Sequence, residues 1–184
     1  MRDALYINGV YDGVLQEIVT VQSAVPEQVL FLQPYSDSQI SMLAKLPPTT
    51  DDPVQLYVST TDDLTHVRYY GEVVGWENKV TIAPARKSIF ERLIKEFQPG
   101  EKNLYEKGVN VVIVRRLVEL PKPFPVRQLT VRSTNAPHGE RATAGGWSFV
   151  LPNPEGVTLP PVGALPPPKS SKKDSAFDTI PKAE

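Results

Sequence analysis

The stretch VVIVRRLVELPKPFPVRQL, residues 111–129, constrains this chain more than any other. A β-branched apolar segment runs into the pair Arg115–Arg116, and prolines follow at every second position: Pro121, Pro123 and Pro125. Proline holds φ fixed and has no N–H to donate, so a segment this rich in it cannot be a helix or an interior strand. The reading is a strand over 109–120 that ends in a rigid extended loop over 121–125. That loop crosses the surface of something else and joins two basic clusters, Arg115–Arg116 and Arg127.

Other elements follow from periodicity and punctuation. ALYING (4–9) is a short strand closed by a turn signal, and Asp12 can cap a helix through GVLQEIVTVQSAV. Val14, Leu15, Ile18, Val19 and Gln22 share one face of that helix at 3.6-residue spacing, although the β-branched content leaves a strand possible. QVLFLQPY (28–35) is a buried-strand run, SQISMLAKL (38–46) fits either helix or strand, and PPTTDDP is loop. VQLYVST (54–60) alternates with period two, which suits a half-buried strand. HVRYYGEVVGW (66–76) is a longer strand whose Gly71 marks a bulge or bend.

PARKSIFERLIKEFQ (84–98) is the clearest helix, with Pro84 near its start and Pro99–Gly100 as its stop. Ile89, Phe90, Leu93, Ile94 and Phe97 form its apolar stripe, opposite a charged face. RQLTVRS (127–133) and GGWSFVLP (145–152) complete the strands. From Pro152 the chain turns proline-rich, with few large apolar side chains to offset the entropy of ordering. The expected organisation is one domain over 1–151 and a disordered proline-rich tail over 152–184.

Charge is unevenly spread. Residues 1–78 hold three basic and eleven acidic side chains (3 − 11 = −8), and residues 79–150 hold thirteen and six (13 − 6 = +7). Such a split suits a polyanion partner for the basic part, or two halves that interleave and neutralise each other. Cysteine is absent, which excludes disulfides and thiolate chemistry. No apolar run approaches the ~18–20 residues a membrane helix needs. The start MRDALYINGV lacks a signal-peptide pattern. The expectation is a soluble, cytoplasmic protein with no membrane partner.

VNVVIVRRLVELPKPFPVRQL (109–129) resembles the strand-plus-proline segment of EVE-type domains, in the PUA-like group that also holds YTH and ASCH domains. The order of the earlier pieces is similar too: strand 4–9, DGVLQEIV, VLFLQPYS, then RYYGEVVGWENK. The likeness spans residues 4–133. It departs from the family at Pro26-Glu27-Gln28, where a Gly-Asp pair is usual, and in the insertion TTDDPVQLYVSTTDDLT. The resemblance implies an α+β fold: a small curved sheet or partly closed β-barrel with one or two packed helices. It also implies a reader of RNA or DNA, holding an often modified base among aromatic side chains.

The residues that would carry such binding are Trp76, Trp147, Tyr70, Tyr57 and Tyr6 as stacking surfaces. Arg115, Arg116, Arg127 and Lys79 would be the phosphate contacts. Aromatic stacking and a salt-sensitive phosphate term are physically sound for such a site. Each of these aromatics can equally be core, and each arginine can serve an internal ion pair. Arg115 and Arg116 are adjacent on a strand and should face opposite ways, one pairing with an acidic residue and one free.

Catalysis has little to stand on. His66 and His138 lack a metal-ligand partner at helical or strand spacing, and the pairs Asp51–Asp52 and Asp62–Asp63 flank turns. There is no phosphate-binding glycine loop and no nucleophile elbow. The expected function is a non-catalytic nucleic-acid-binding module that needs no cofactor or metal. The alternative is a protein-interaction module that uses its proline-rich tail, LPPVGALPPPK, as a partner ligand.

Overall fold

The computed structural model describes residues 2–22, 28–30, 45, 47–78, 82–97, 110–142 and 146–161. Its strands are β1 (Ala4–Val10), β2 (Gln28–Leu30), β3 (Val54–Thr60), β4 (His66–Asn78), β5 (Asn110–Pro125), β6 (Thr130–Val131), β7 (Ala136–Pro137) and β8 (Trp147–Val150). Two helices accompany them, α1 (Asp12–Val21) and α2 (Pro84–Phe97). The strands form one mixed sheet in the order β2-β5-β4-β3-β1-β8-β6-β7. The fold is α+β as expected, but the sheet is open: β2 and β7 are its two ends, so the barrel alternative is not what these strands form.

β1 and β3 pair in parallel at the middle of the sheet, and every other pairing is antiparallel. The central pair is buried on both faces. Ala4 to Ile7 and Leu56 to Thr60 are all closed to solvent, so β3 is not the half-buried strand that its alternation suggested. A strand covered on both sides has no wet face to keep polar. Leu5, Ile7, Leu56, Val58 and Tyr69 point to one face, where α1 contributes Val14, Leu15 and Ile18 and α2 contributes Leu93. Ala4, Tyr6, Tyr57 and Tyr70 point to the other, with Phe124, Val126, Leu129 and Val150.

α1 begins one residue earlier than a cap at Asp12 would place it. Tyr11 is the N-cap and makes no side-chain cap bond, while the Asp12 carboxylate accepts the Tyr69 hydroxyl at 2.6 Å. α2 has the bounds its stripe suggested to within a residue; among its described side chains Phe90 and Leu93 are buried, and those of Ile94 and Phe97 lie outside the described residues. Arg92 of α2 reaches Glu17 of α1 at 2.6 Å.

The proline segment differs most from expectation. Pro121, Pro123 and Pro125 lie within β5 itself, where Phe124 pairs with Val67 and Pro125 with His66. Among the described residues, β2 covers β5 at Val112–Val114. Beyond that, β4 flanks one side of β5 and no described strand flanks the other, so the prolines occupy an edge, where a missing donor is tolerated. The Val126 N–H donates to the Thr65 carbonyl at 3.0 Å, which leaves the neighbouring Pro125 nitrogen facing away from β4.

Two irregularities bend this edge. Between the pairs Tyr70–Val118 and Glu72–Arg115, two steps on β4 oppose three on β5, and Arg116 there has φ +52°. Gly71 on β4 lies opposite this bulge, whose extra residue is on β5, while β4 itself pairs regularly with β3 through Gly71. Between Val67–Phe124 and Tyr69–Glu119, two steps on β4 oppose five on β5. Bulges of this kind kink a strand and re-aim its side chains.

The boundary expected at residue 151 falls within packed structure. Val157 and Leu159 are half-buried against the Tyr57–Phe124 face, and Asn153 bonds to Gln55 and Tyr57. Residues 153–159 therefore pack against the sheet without adding a strand to it, and 162–184 lie outside the described residues. The second half of QVLFLQPY and nearly all of SQISMLAKL also lie outside them. Among the described residues, no helix is long and apolar enough to cross a membrane.

Candidate functional site

The three tyrosines expected to wall a pocket are brought together, but as core. Tyr6 and Tyr57 are fully buried and Tyr70 is 3% exposed, all in the cluster that includes Phe124. The Tyr57 ring lies 5.7 Å from Tyr70 and 6.0 Å from Phe124, the latter edge-on, which is favourable aromatic packing. The Tyr6 and Tyr57 hydroxyls, which burial would otherwise strand, both have partners. Tyr6 donates to Ser59 Oγ at 2.9 Å, and Ser59 donates on to the His66 carbonyl. Tyr57 donates to Gln55 Oε1 at 2.6 Å and accepts the Asn153 N–H at 3.2 Å. Burial pushes the Tyr6 phenol up to about 12, opposed by its bond to Ser59. Burial likewise raises Tyr57 and Tyr70 above the ordinary tyrosine value.

Trp76 and Trp147 are half-buried and pack on the opposite face, against the cluster under α1 and α2. Trp147 also lies against Phe149, ring centroids 6.1 Å apart. The sheet itself thus separates both tryptophans from the three tyrosines. No single concavity can hold all five.

The arginines are largely occupied. Arg115 Nε donates to Glu72 Oε2 at 2.7 Å, and its NH2 group donates to the Thr50 carbonyl at 2.6 Å. Arg116 does not face the other way as strand alternation required. Its positive φ at the bulge turns it back to the same carboxylate, NH1 lying 3.8 Å from Glu72 Oε2. Glu72 is only 5% exposed, and a buried carboxylate needs such partners. The two charge halves interleave: Arg86 bonds Glu77, Arg92 bonds Glu17, and Arg132 lies 3.2 Å from Asp3. Lys79 lies outside the described residues.

A second polar network sits where β1 and β3 end. Arg68 bonds Glu119 at 2.8 Å and lies within 3.8 Å of Asp12 and 3.7 Å of Asp62. Gln16 donates to the Tyr69 hydroxyl and to Glu119. Burial, then the Asp12 carboxylate, raises Tyr69 above the ordinary value. The network is mutually satisfied and presents no free acid–base pair. Asp63 is held below the usual carboxylate value chiefly by the Thr65 hydroxyl, with His66 Nδ1 at 3.1 Å.

Among the described residues, a cleft of about 250 Å³ lies open at the proline-bearing edge. Lys122, Pro123, Phe124, Pro125 and Gln128 line one side, and Gly156, Val157 and Thr158 the other. Among the described residues, Lys45, Lys95, Lys122, Arg127 and Arg141 are exposed without a carboxylate partner. Arg127 stood out in the sequence through the basic cluster it forms after the prolines, whereas Lys122 and the 153–159 segment did not. The signal available for that segment was Val157-Thr158-Leu159 alternation within the prolines. No protein-family model, curated protein or solved structure matches this chain.

Proposed function

We propose that this domain is a non-catalytic protein-interaction module that takes its partner at the cleft beside the proline-bearing end of β5. The observation that carries this reading is the allocation of side chains. The aromatic candidates are committed to two cores on opposite faces, and Arg115 and Arg116 converge on Glu72. Among the described residues a cleft stays open beside them, with Lys122 and prolines on one wall. Rigid prolines lose little entropy on binding, and their rings offer an apolar wall, rather than a hydrogen-bonding edge, to an extended partner segment. Lys122 favours a partner segment with acidic character.

A second reading keeps the nucleic-acid module of PUA-like fold, with a modified base as its target. Its support is the exposed trio Lys122, Arg127 and Arg141, together with the sequence resemblance of residues 4–133 to EVE-type domains. The two readings part on salt. Binding to DNA and RNA oligonucleotides, modified and unmodified, is measured by fluorescence anisotropy across ionic strengths. The interaction reading expects no salt-dependent binding near physiological ionic strength. A slope of log affinity on log salt of about −0.7 to −0.9 per phosphate, flattened by Arg127→Ala, overturns it in favour of nucleic acid. On the interaction side, an array of extended proline-containing peptides of varied charge should bind, and Lys122→Glu should reverse the charge preference.

A further inference from the structure

After β8 the chain crosses the tyrosine face without joining the sheet. Leu151 makes the last ladder-like bond, its N–H donating to the Thr130 carbonyl at 2.9 Å. Pro152, Pro154, Pro160 and Pro161 then remove donors that a strand would use. Asn153 anchors the crossing in a left-handed conformation, φ +51°. Its N–H reaches Gln55 Oε1 at 3.1 Å and the Tyr57 hydroxyl at 3.2 Å, and its Oδ1 accepts from Gln55 Nε2 at 2.8 Å. A turn follows, with Val157 N–H on the Pro154 carbonyl and Gly156 at φ +76° in open space. Val157 and Leu159, two residues apart, then pack on the cluster around Tyr57, Tyr70 and Phe124.

This is how a bound peptide sits: one polar anchor, two aliphatic side chains on an aromatic floor, and prolines at both ends. The fit is also incomplete, because the cleft runs between Gly156–Thr158 and the Lys122–Pro125 wall. We propose that Asn153–Leu159 is an intramolecular ligand, a strap that opens without unfolding the sheet. An extended, proline-flanked Val-x-Leu segment of another chain can then take its place on the Gln55–Tyr57–Phe124 face. This inference rests on the interaction reading and names the partner's chemistry: the strap itself is the template. Few backbone bonds and two half-buried side chains are what a low-stability, separately opening segment shows.

Two measurements on the full chain test it. In the wild-type protein, hydrogen exchange at the Asn153 and Val157 amides should be at least about tenfold faster than at the β1 and β3 amides. Equal protection means the strap opens only when the whole domain unfolds, and overturns the proposal. In the second, Val157→Ser/Leu159→Ser loosens the strap, and the peptide NPEGVTLPP (residues 153–161) is titrated against it. The peptide should bind the variant at least about tenfold more tightly than wild type, whose face is already occupied. Trp76 and Trp147 report the fold from the opposite face. Native tryptophan emission without peptide binding overturns the proposal, and if the variant does not fold, the wild-type exchange decides. Either failure leaves the interaction reading standing on its peptide array, whereas salt-dependent nucleic-acid binding removes that reading itself.

Discussion

Gly71 of β4 stands so close to Leu117 of β5 that a Cβ on it would lie 3.2 Å from the Leu117 Cα and 3.3 Å from the Arg115 carbonyl oxygen. Both are main-chain atoms held in the β4–β5 ladder, so neither can swing aside. The close approach exists because β5 carries an extra residue there. Gly71→Ala should therefore cost about 1–3 kcal/mol, the usual scale for overpacking. The check is the denaturant midpoint at unchanged slope. An unshifted midpoint would mean that the bulge moves freely.

Arg116, the residue that makes the bulge, is expected to behave in the opposite sense. A side chain in the left-handed region costs about 1–2 kcal/mol relative to glycine. Its contact to Glu72, at 3.8 Å and with the side chain 44% exposed, is too long for a hydrogen bond. Arg116→Gly should thus raise stability by roughly 0.5–1 kcal/mol, and Arg116→Val should lower it, since β-branched residues fit that region worst. Thermal melts of the two variants give the order. If both destabilise equally, the Glu72 contact matters more than the backbone.

How far this was legible in the sequence depends on how local the cause was. α2 could be read because its stripe and its proline and glycine boundaries are local. The bulge opposite Gly71 was signalled because glycine inside a strand has few other uses. The extent of β5 was not. Proline excludes an interior strand, but Pro121–Pro125 lie on a stretch that β2 leaves uncovered, a tertiary fact. The convergence of Arg115 and Arg116 on Glu72 was hidden for a related reason: alternation holds only where no bulge intervenes. The tyrosines were found but their role was open, since burial depends on what crosses above them. That crossing, Asn153–Leu159, sits in a segment whose composition reads as tail.

The buried face of α2 can be checked directly. Phe90 is almost fully buried, and Phe90→Ala should cost about 3–5 kcal/mol through lost transfer energy and the cavity left behind. Lys87, with a side chain 45% exposed and Glu91 4.0 Å away, should tolerate alanine within about 0.5 kcal/mol. Urea melts of the pair measure the difference. Similar losses would mean that α2 docks through another face.

The buried tyrosines predict where the domain fails in alkali. Tyr6 titrates at about 12 when folded, against an ordinary value of 10.0, because burial disfavours the phenolate. Tyr57 and Tyr70 are raised for the same reason. A raised folded value means that above pH 10 the unfolded chain loses these protons while the folded one keeps them. The stability difference is fully present below pH 10 and is lost as pH climbs toward the folded values. Each such tyrosine should lower stability by about 1.4 kcal/mol per pH unit once its unfolded form is ionised, so several together should give steep alkaline unfolding. Tyr6→Phe removes one of them. Its neutral-pH stability should fall by roughly 0.5–1.5 kcal/mol for the lost bond to Ser59, and its alkaline slope should be shallower by one tyrosine's share. Urea melts between pH 8 and about 11, the range set by these values, compare the two proteins. Parallel curves throughout would show that the Tyr6 hydroxyl reaches solvent, and with it that the tyrosine face is already open.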